Sequence, residues 1–263
     1  MVGGASGELR RLGTLCGAAL LALLAVPALA EPVTVTVPLM RYGLGDLSCA
    51  TYSPNPARPL IATGSEIGVV LWDANTGDQV RILSAPGHYV LSVAFSPDGT
   101  KVLTGGWDSA AKLWDAATGA VIRTFSGHTS YVWSVAFSPD GTKVLTGSYD
   151  NTAKLWDAAT GAEIRTFSGH TSGVNCVAFS PDGTKVLTGS WDNTAKLWDA
   201  STGAVIRTFS GHIDWVRSVA FSPNGTKVLT GSDDQTAELW DAATGAEICT
   251  FSGHAYRVQT ISF

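Results

Sequence analysis

Charge is scarce in this chain. Of its 263 residues only 15% are Asp, Glu, Lys or Arg, and the formal net charge is -5. The Lys and Arg residues are scattered, whereas a phosphate backbone needs a basic face, which argues against nucleic acid as a partner. There are four cysteines, two methionines and five histidines. That is too few cysteines for a disulfide framework, and their spacing is not that of a metal site. Beyond residue 30 no run is long and apolar enough for a helix to span a bilayer. What is abundant is Gly (29) and Trp (9). Little charge with much Gly and Trp suits short strands joined by tight turns.

The first thirty residues differ from the rest. Arg10 and Arg11 precede an apolar run from Leu12 to Val26, then Pro27-Ala28-Leu29-Ala30. A basic start, an apolar centre and a small-x-small end describe a secretory leader cut after Ala30. The expected location is therefore outside the cytoplasm, with no membrane span after cleavage. The alternative is a retained N-terminal anchor. Removal leaves Cys49, Cys176 and Cys249, all expected as buried small apolar residues. Cys49 and Cys176 fall at equivalent positions of non-adjacent repeats, too far apart to bridge.

Repetition dominates everything that follows. Trp72, Trp114, Trp156, Trp198 and Trp240 are spaced 42 residues apart, as are Phe95, Phe137, Phe179, Phe221 and Phe263. The strings FSPDGTKVLTG, KLWDAATGA and RTFSGHTS recur with few changes. Such a period accommodates four short strands and their turns. In one unit, Val132–Phe137 is an apolar β-favouring run and Ser138-Pro139-Asp140-Gly141 a turn. Lys143–Gly147 and Thr152–Trp156 are further strands, and Glu163–Phe167 alternates as an outer strand with one wet face. Four antiparallel strands per repeat make one blade of an all-β propeller.

The pairs Gly127-His128, Gly169-His170, Gly211-His212 and Gly253-His254, with the Trp-Asp pairs, resemble the WD-repeat family from about Leu47 to Phe263. The resemblance implies a non-catalytic scaffold for proteins or peptides, with no cofactor. It also implies a buried hydrogen-bonded quartet in each blade: His128, Thr146, Asp150 and Trp156; His170, Thr188, Asp192 and Trp198; His212, Thr230, Asp234 and Trp240. Elementary energetics agrees, because an unpaired buried imidazole, carboxylate or indole N–H costs about 1–3 kcal/mol. A His-Asp-Thr set also looks like a hydrolase triad. Its recurrence in every blade argues for structure, since catalysis needs one set opening on a cleft. No catalytic residue and no metal ligand is therefore assigned.

The expected domains are a leader at 1–30, a strand or linker at 31–46 and a propeller at 47–263. Blades fall at about 47–84, 89–126, 131–168, 173–210 and 215–252, with a partial sixth unit at 257–263. The first blade is degenerate, since Ile67 stands where the quartet Asp belongs. In the second, His88 is displaced by two residues. In the resembled family the ring often closes with an N-terminal strand, for which residues 33–37 are the candidate. Even so, the closing blade would hold two of four strands. The expectation is an incomplete ring, with further blades in a longer chain.

Where the repeats differ, packing does not dictate the residue. Tyr89, Tyr131 and Trp215 precede the first strands, with Gly173 and Arg257 at the same place. Trp133 and Arg217 lie inside those strands, and Trp107, Tyr149, Trp191 and Asp233 precede the quartet Asp. The resemblance puts all of these on one end of the ring. An aromatic rim with a few Arg has the composition of an interface, although such rings also pack on one another. Trp191→Ala and Trp215→Ala are expected to abolish binding and spare the fold. Two other functions stay open: sugar binding through the rings, and an exported propeller enzyme. The Asp-Ala-Ala-Thr-Gly strings faintly resemble quinone-dependent dehydrogenases. Those carry a Trp soon after the Gly, where this chain has Thr124-Phe125, Thr166-Phe167 and Thr208-Phe209.

Overall fold

A computed structural model describes residues 46–84, 87 and 89–263. The leader, the strand expected at 33–37 and His88 lie outside the described residues. Twenty strands form five antiparallel four-stranded sheets, each ordered as in the chain. The first sheet is β1–β4 (Cys49–Tyr52, Leu60–Ser65, Gly68–Asp73, Gln79–Leu83). The second is β5–β8 (Val90–Phe95, Lys101–Gly106, Ala110–Asp115, Val121–Ser126). The third is β9–β12 (Val132–Phe137, Lys143–Ser148, Thr152–Asp157, Glu163–Ser168). The fourth is β13–β16 (Val174–Phe179, Lys185–Ser190, Ala195–Asp199, Val205–Phe209). The fifth is β17–β20 (Val216–Phe221, Lys227–Ser232, Ala237–Asp241, Glu247–Phe251). The first strands β1, β5, β9, β13 and β17 pack side by side in that order, so the sheets are blades of a propeller. Among the described elements β1 and β17 do not close on each other, and the ring is open.

The apolar core lies between blades. Leu145, Ala153, Leu155 and Phe167 of the third blade pack on Val174, Val177, Val186 and Trp198 of the fourth. Equivalent clusters fill the other three joints. In the third, fourth and fifth blades the Trp of the Trp-Asp pair thus covers the preceding blade's outer Phe: Phe125–Trp156, Phe167–Trp198 and Phe209–Trp240 at 5.8, 5.6 and 5.4 Å between centroids. Blades approach so closely that a Cβ on Gly147 would stand 2.7 Å from Val177 Cγ1 and 3.0 Å from Val174 Cγ1. Polar clips reinforce the joints. Val135 and Val177 N–H groups donate to the hydroxyls of Ser92 and Ser134 on the blade before, at 3.2 and 3.1 Å. Arg81 and Arg165 reach forward to the carbonyls of Thr118 and Thr202, at 3.0 and 2.8 Å.

One expectation needs correction. Cys249 is exposed, whereas Cys49 and Cys176 are buried. Cys249 occupies on β20 the outer-strand position that Arg81, Arg123, Arg165 and Arg207 hold in the other blades, facing solvent rather than core. Residues 257–263 lie where the first strand of another blade would, since Val258 N–H donates to Ser232 O at 2.8 Å and Ile261 N–H to Ser218 Oγ at 3.3 Å. The first blade's missing Asp has a backbone cause: β2 and β3 are joined by the two-residue turn Glu66-Ile67. That turn has no room for the longer Asp-bearing loop of the other blades.

Those longer loops hold a left-handed residue: Ser109, Asn151, Asn193 and Gln235, at φ of 61°, 69°, 66° and 71°. Asn tolerates this region and Ser or Gln tolerate it less. Ser109→Asn is therefore expected to stabilise the chain by about 0.5–1 kcal/mol, read as a raised urea midpoint at constant slope.

Candidate functional site

The repeated polar set is buried blade structure. In the third blade Trp156 Nε1 donates to Thr146 Oγ1 at 2.9 Å, and His128 Nε2 lies 2.7 Å from the same hydroxyl. His128 Nδ1 lies 2.8 Å from Asp150 Oδ2. The chain is consistent with a proton on Nδ1, leaving Nε2 to accept from Thr146. The fourth and fifth blades repeat it: His170 meets Asp192 and Thr188, both at 2.7 Å, and His212 meets Asp234 and Thr230 at 2.7 and 2.8 Å. Trp198 and Trp240 close these chains on Thr188 and Thr230 at 2.9 and 3.0 Å. A further member was not legible as such: Thr152, Thr194 and Thr236 each donate to their blade's Asp at 2.6 Å.

Burial pushes the Asp150 and Asp192 carboxyls up, but the hydrogen bonds from His128 and His170, then from Thr152 and Thr194, outweigh it. Both end well below the ordinary carboxylate range. Each Thr hydroxyl both accepts and donates, and each imidazole has both nitrogens engaged. The set ties the inner loop, the second strand and the third strand of a blade together and offers no reactive atom.

In the second blade Trp114 donates to Thr104 at 2.9 Å. In the first, Trp72 donates to Thr63 at 2.8 Å. Among the described residues no group of three or more His, Cys, Asp and Glu side chains is placed to hold a metal ion.

The variable positions meet at one end of the propeller. Loops before the first strand and after the second are tied by backbone bonds: Trp107 N–H to Tyr89 O, Tyr149 N–H to Tyr131 O, Trp191 N–H to Gly173 O and Asp233 N–H to Trp215 O, at 2.9–3.1 Å. The rings form one continuous ladder. Tyr89–Trp107, Trp107–Tyr131 and Tyr131–Tyr149 are stacked at 4.6, 5.5 and 6.4 Å. Tyr149 meets Trp191 edge-on at 5.1 Å, and Trp191 stacks on Trp215 at 4.6 Å. Gly173 breaks the aromatic series because its space is taken: a Cβ there would lie 3.0 Å from Tyr149 Cδ2.

Packing and exposure coexist in this ladder. Trp107, Tyr131, Tyr149 and Trp215 remain 49%, 41%, 46% and 38% exposed although each touches a neighbouring ring. Trp191 and Trp133 sit deeper, 5.7 Å apart, with both indole nitrogens buried. Arg217 crosses the end of the ladder, 4.8 Å from the Trp215 ring centre and 6.0 Å from that of Trp191. Asp233 receives Arg217 Nε and Nη2 at 2.8 and 2.6 Å. Two apolar side chains on the same loops, Ile213 and Tyr256, are 84% and 83% exposed. Neither was legible from the repeats, whose variable positions stand out only beside the strands.

Trp133 and Asn175 also open onto a central cavity of about 480 Å³ between the first strands. Its walls are apolar, hydroxyl, amide and thiol groups, including Cys49, Cys176, Asn175 and Ser134. Among the described residues no carboxylate, imidazole or amine lines it.

The family described as "WD domain, G-beta repeat" matches residues 77–115, 119–157, 161–199 and 203–241, more than half of the chain. Over 48 residues the chain is 46% identical to "Guanine nucleotide-binding protein subunit beta" of Saccharomyces cerevisiae, covering 18% of this chain and 11% of that protein. Over 65 residues it is 38% identical to "Small ribosomal subunit protein RACK1y" of Oryza sativa subsp. japonica, covering 24% and 19%. The chain thus spans less than a fifth of the length of either relative. Repeat period, blade topology, the His-Thr-Asp-Trp chains and the matched segments all agree: this chain belongs to the WD domain, G-beta repeat family.

Proposed function

We propose that the chain is a non-catalytic scaffold that binds proteins or peptides through the aromatic ladder at one end of its propeller. The observation that carries this reading is the ladder itself, six rings in unbroken contact, four of them substantially exposed. A solvated cluster of Trp and Tyr is unfavourable unless something covers it, and Trp, Tyr and Arg are the residues that anchor interfaces. Prearranged rings also lose little conformational entropy on binding. The membership of a repeat family whose relatives include a "subunit" by name fits a role in assembly. An exported propeller enzyme needs a distinctive acid, base or nucleophile on a cleft, and the central cavity supplies none among the described residues.

The test is affinity capture with Trp107→Ala and Trp215→Ala against the parent chain. Each side chain stands at the rim, 49% and 38% exposed, away from the blade joints, so unfolding free energy should change by less than about 1 kcal/mol. Capture of the partner should fall at least tenfold. Trp191→Ala no longer separates binding from folding, because Trp191 is held by Trp133, Tyr149, Trp215 and Arg217. Retained capture by both rim variants would sink the proposal.

We place the scaffold outside the cytoplasm, on the leader pattern of residues 1–30. Sequencing the N-terminus of the mature protein checks this; a start at Glu31 in an exported fraction is expected.

A further inference from the structure

We propose that the Tyr89–Trp107–Tyr131 end of the ladder receives an arginine side chain of the partner, with Glu66 and Asp46 as its countercharge. This rests on reading the rim as the contact surface and names the chemistry that surface selects.

The far end of the ladder already holds a guanidinium. Arg217 lies against the Trp215 ring and is gripped by both oxygens of Asp233. Planar guanidinium stacks on an indole and bonds a carboxylate through its edge, a pairing that an ammonium does not reproduce. The near end has the same parts without the cation. Trp107 is sandwiched between Tyr89 and Tyr131, with 49% of its surface open. Exposed Glu66 sits in the two-residue turn of the first blade, the loop that corresponds to the one bearing Trp107 in the second. Exposed Asp46 lies just before β1.

Both acids flank the near end of the ladder: Ser48, just after Asp46, donates its hydroxyl to Val90 O, next to Tyr89, and its N–H to Gly64 O, just before Glu66. Burial, then the field of Glu66, then that of Asp46, pushes the Tyr89 phenol up. Among the described residues neither Glu66 nor Asp46 has a salt-bridge partner, whereas Asp233 has Arg217 and Asp108 has Lys112. Both faces of Trp107 are taken by its neighbours, so the ring face that ends the ladder is that of Tyr89, backed by Trp107 as Trp215 is backed by Trp191; an electron-rich face beside two uncompensated carboxylates favours a cation and disfavours an acidic segment.

The probe is a synthetic nonapeptide with arginine at every third position among Gly and Ser, compared with a twin carrying uncharged citrulline. Binding to the full chain is followed by calorimetry at low and at physiological salt. The arginine peptide is expected to bind at least tenfold tighter than its twin, and more weakly as salt rises. Glu66→Gln should reduce that preference severalfold, and Trp107→Ala should abolish binding while the melting curve stays in place. Equal affinity for the twins overturns the proposal and leaves the rim a peptide surface of another specificity. Failure of both peptides to bind overturns it too. Arginine-peptide binding that survives both Trp107→Ala and Trp215→Ala would overturn this proposal together with the rim reading.

Discussion

Trp198→Ala is expected to lower the unfolding free energy by about 3–5 kcal/mol, the range for truncating a large core aromatic. Trp198 is 1% exposed and lies at the joint of two blades. Its ring meets Phe167 of the third blade and the edge of His170 at 6.1 Å, and its Nε1 feeds the hydroxyl of Thr188. Truncation therefore opens a cavity between blades and also removes the donor at the end of a buried chain. Because the core is inter-blade, the loss should propagate. The third and fourth blades should separate from the rest as a distinct transition, and amide exchange should accelerate in β11 and β12 as well as in β13–β16. Trp215→Ala, at the rim rather than at a joint, is the control, with a change below about 1 kcal/mol. Equal losses for the two would remove the distinction between joint and rim on which the functional reading depends.

That distinction was legible in the repeats, up to a point. Residues identical in every unit, such as Trp156, Trp198 and Trp240, are those that close the joints. Residues that vary at one end, such as Trp107 and Tyr149, make up the ladder. Periodicity states which positions are equivalent, however, and not what surrounds each equivalent. Cys249 stands where four arginines stand and is exposed, although its residue type argued for burial. Phe251 matches the buried Phe125, Phe167 and Phe209 yet is exposed, since within this sequence no Trp of a following blade covers it. Trp191 looked like any rim ring, but the neighbouring Gly173 lets Tyr149 and Trp191 close over the backbone. The opposition of Glu66 to the ladder arises from a one-residue shortening that aligns by chain geometry rather than by period. These are tertiary facts, set by who the neighbour is.

Glu238→Lys is expected to stabilise the chain by about 1–3 kcal/mol, the magnitude of an unsatisfied buried polar group removed. Glu238 occupies on β19 the position held by Lys112, Lys154 and Lys196 in the blades before it. In the third blade that lysine is well placed: Lys154 Nζ is 2.8 Å from both Glu163 Oε2 and Thr166 Oγ1 and 5.9 Å from the Trp156 ring centre. The fifth blade keeps the receiving groups, Glu247, Thr250 and Trp240, but inserts a carboxylate that is 6% exposed. Glu238 Oε2 has no hydrogen-bond partner, and its nearest cationic candidate is His212 Nε2 at 3.4 Å. Burial pushes the Glu238 carboxyl up; His212 opposes this, while Glu247 and Asp234 add to it. The sign follows from linkage. A carboxyl with a raised pKa holds its proton longer when folded, so the folded state is favoured below the ordinary value of 4.5 and loses ground as pH rises through the folded value. Lysine removes that loss and restores the pair with Glu247, which itself needs an ionised carboxylate. The gain of the variant over the parent should therefore be small near pH 4 and grow toward neutrality. Glu238→Gln, which removes the charge without supplying the lysine, should recover part of it. Urea midpoints of the three chains between pH 4 and 8 decide the matter: a variant gain that stays constant across that range, or a lysine variant less stable than the parent at pH 7, would show that Glu238 is not the strained member of the fifth blade.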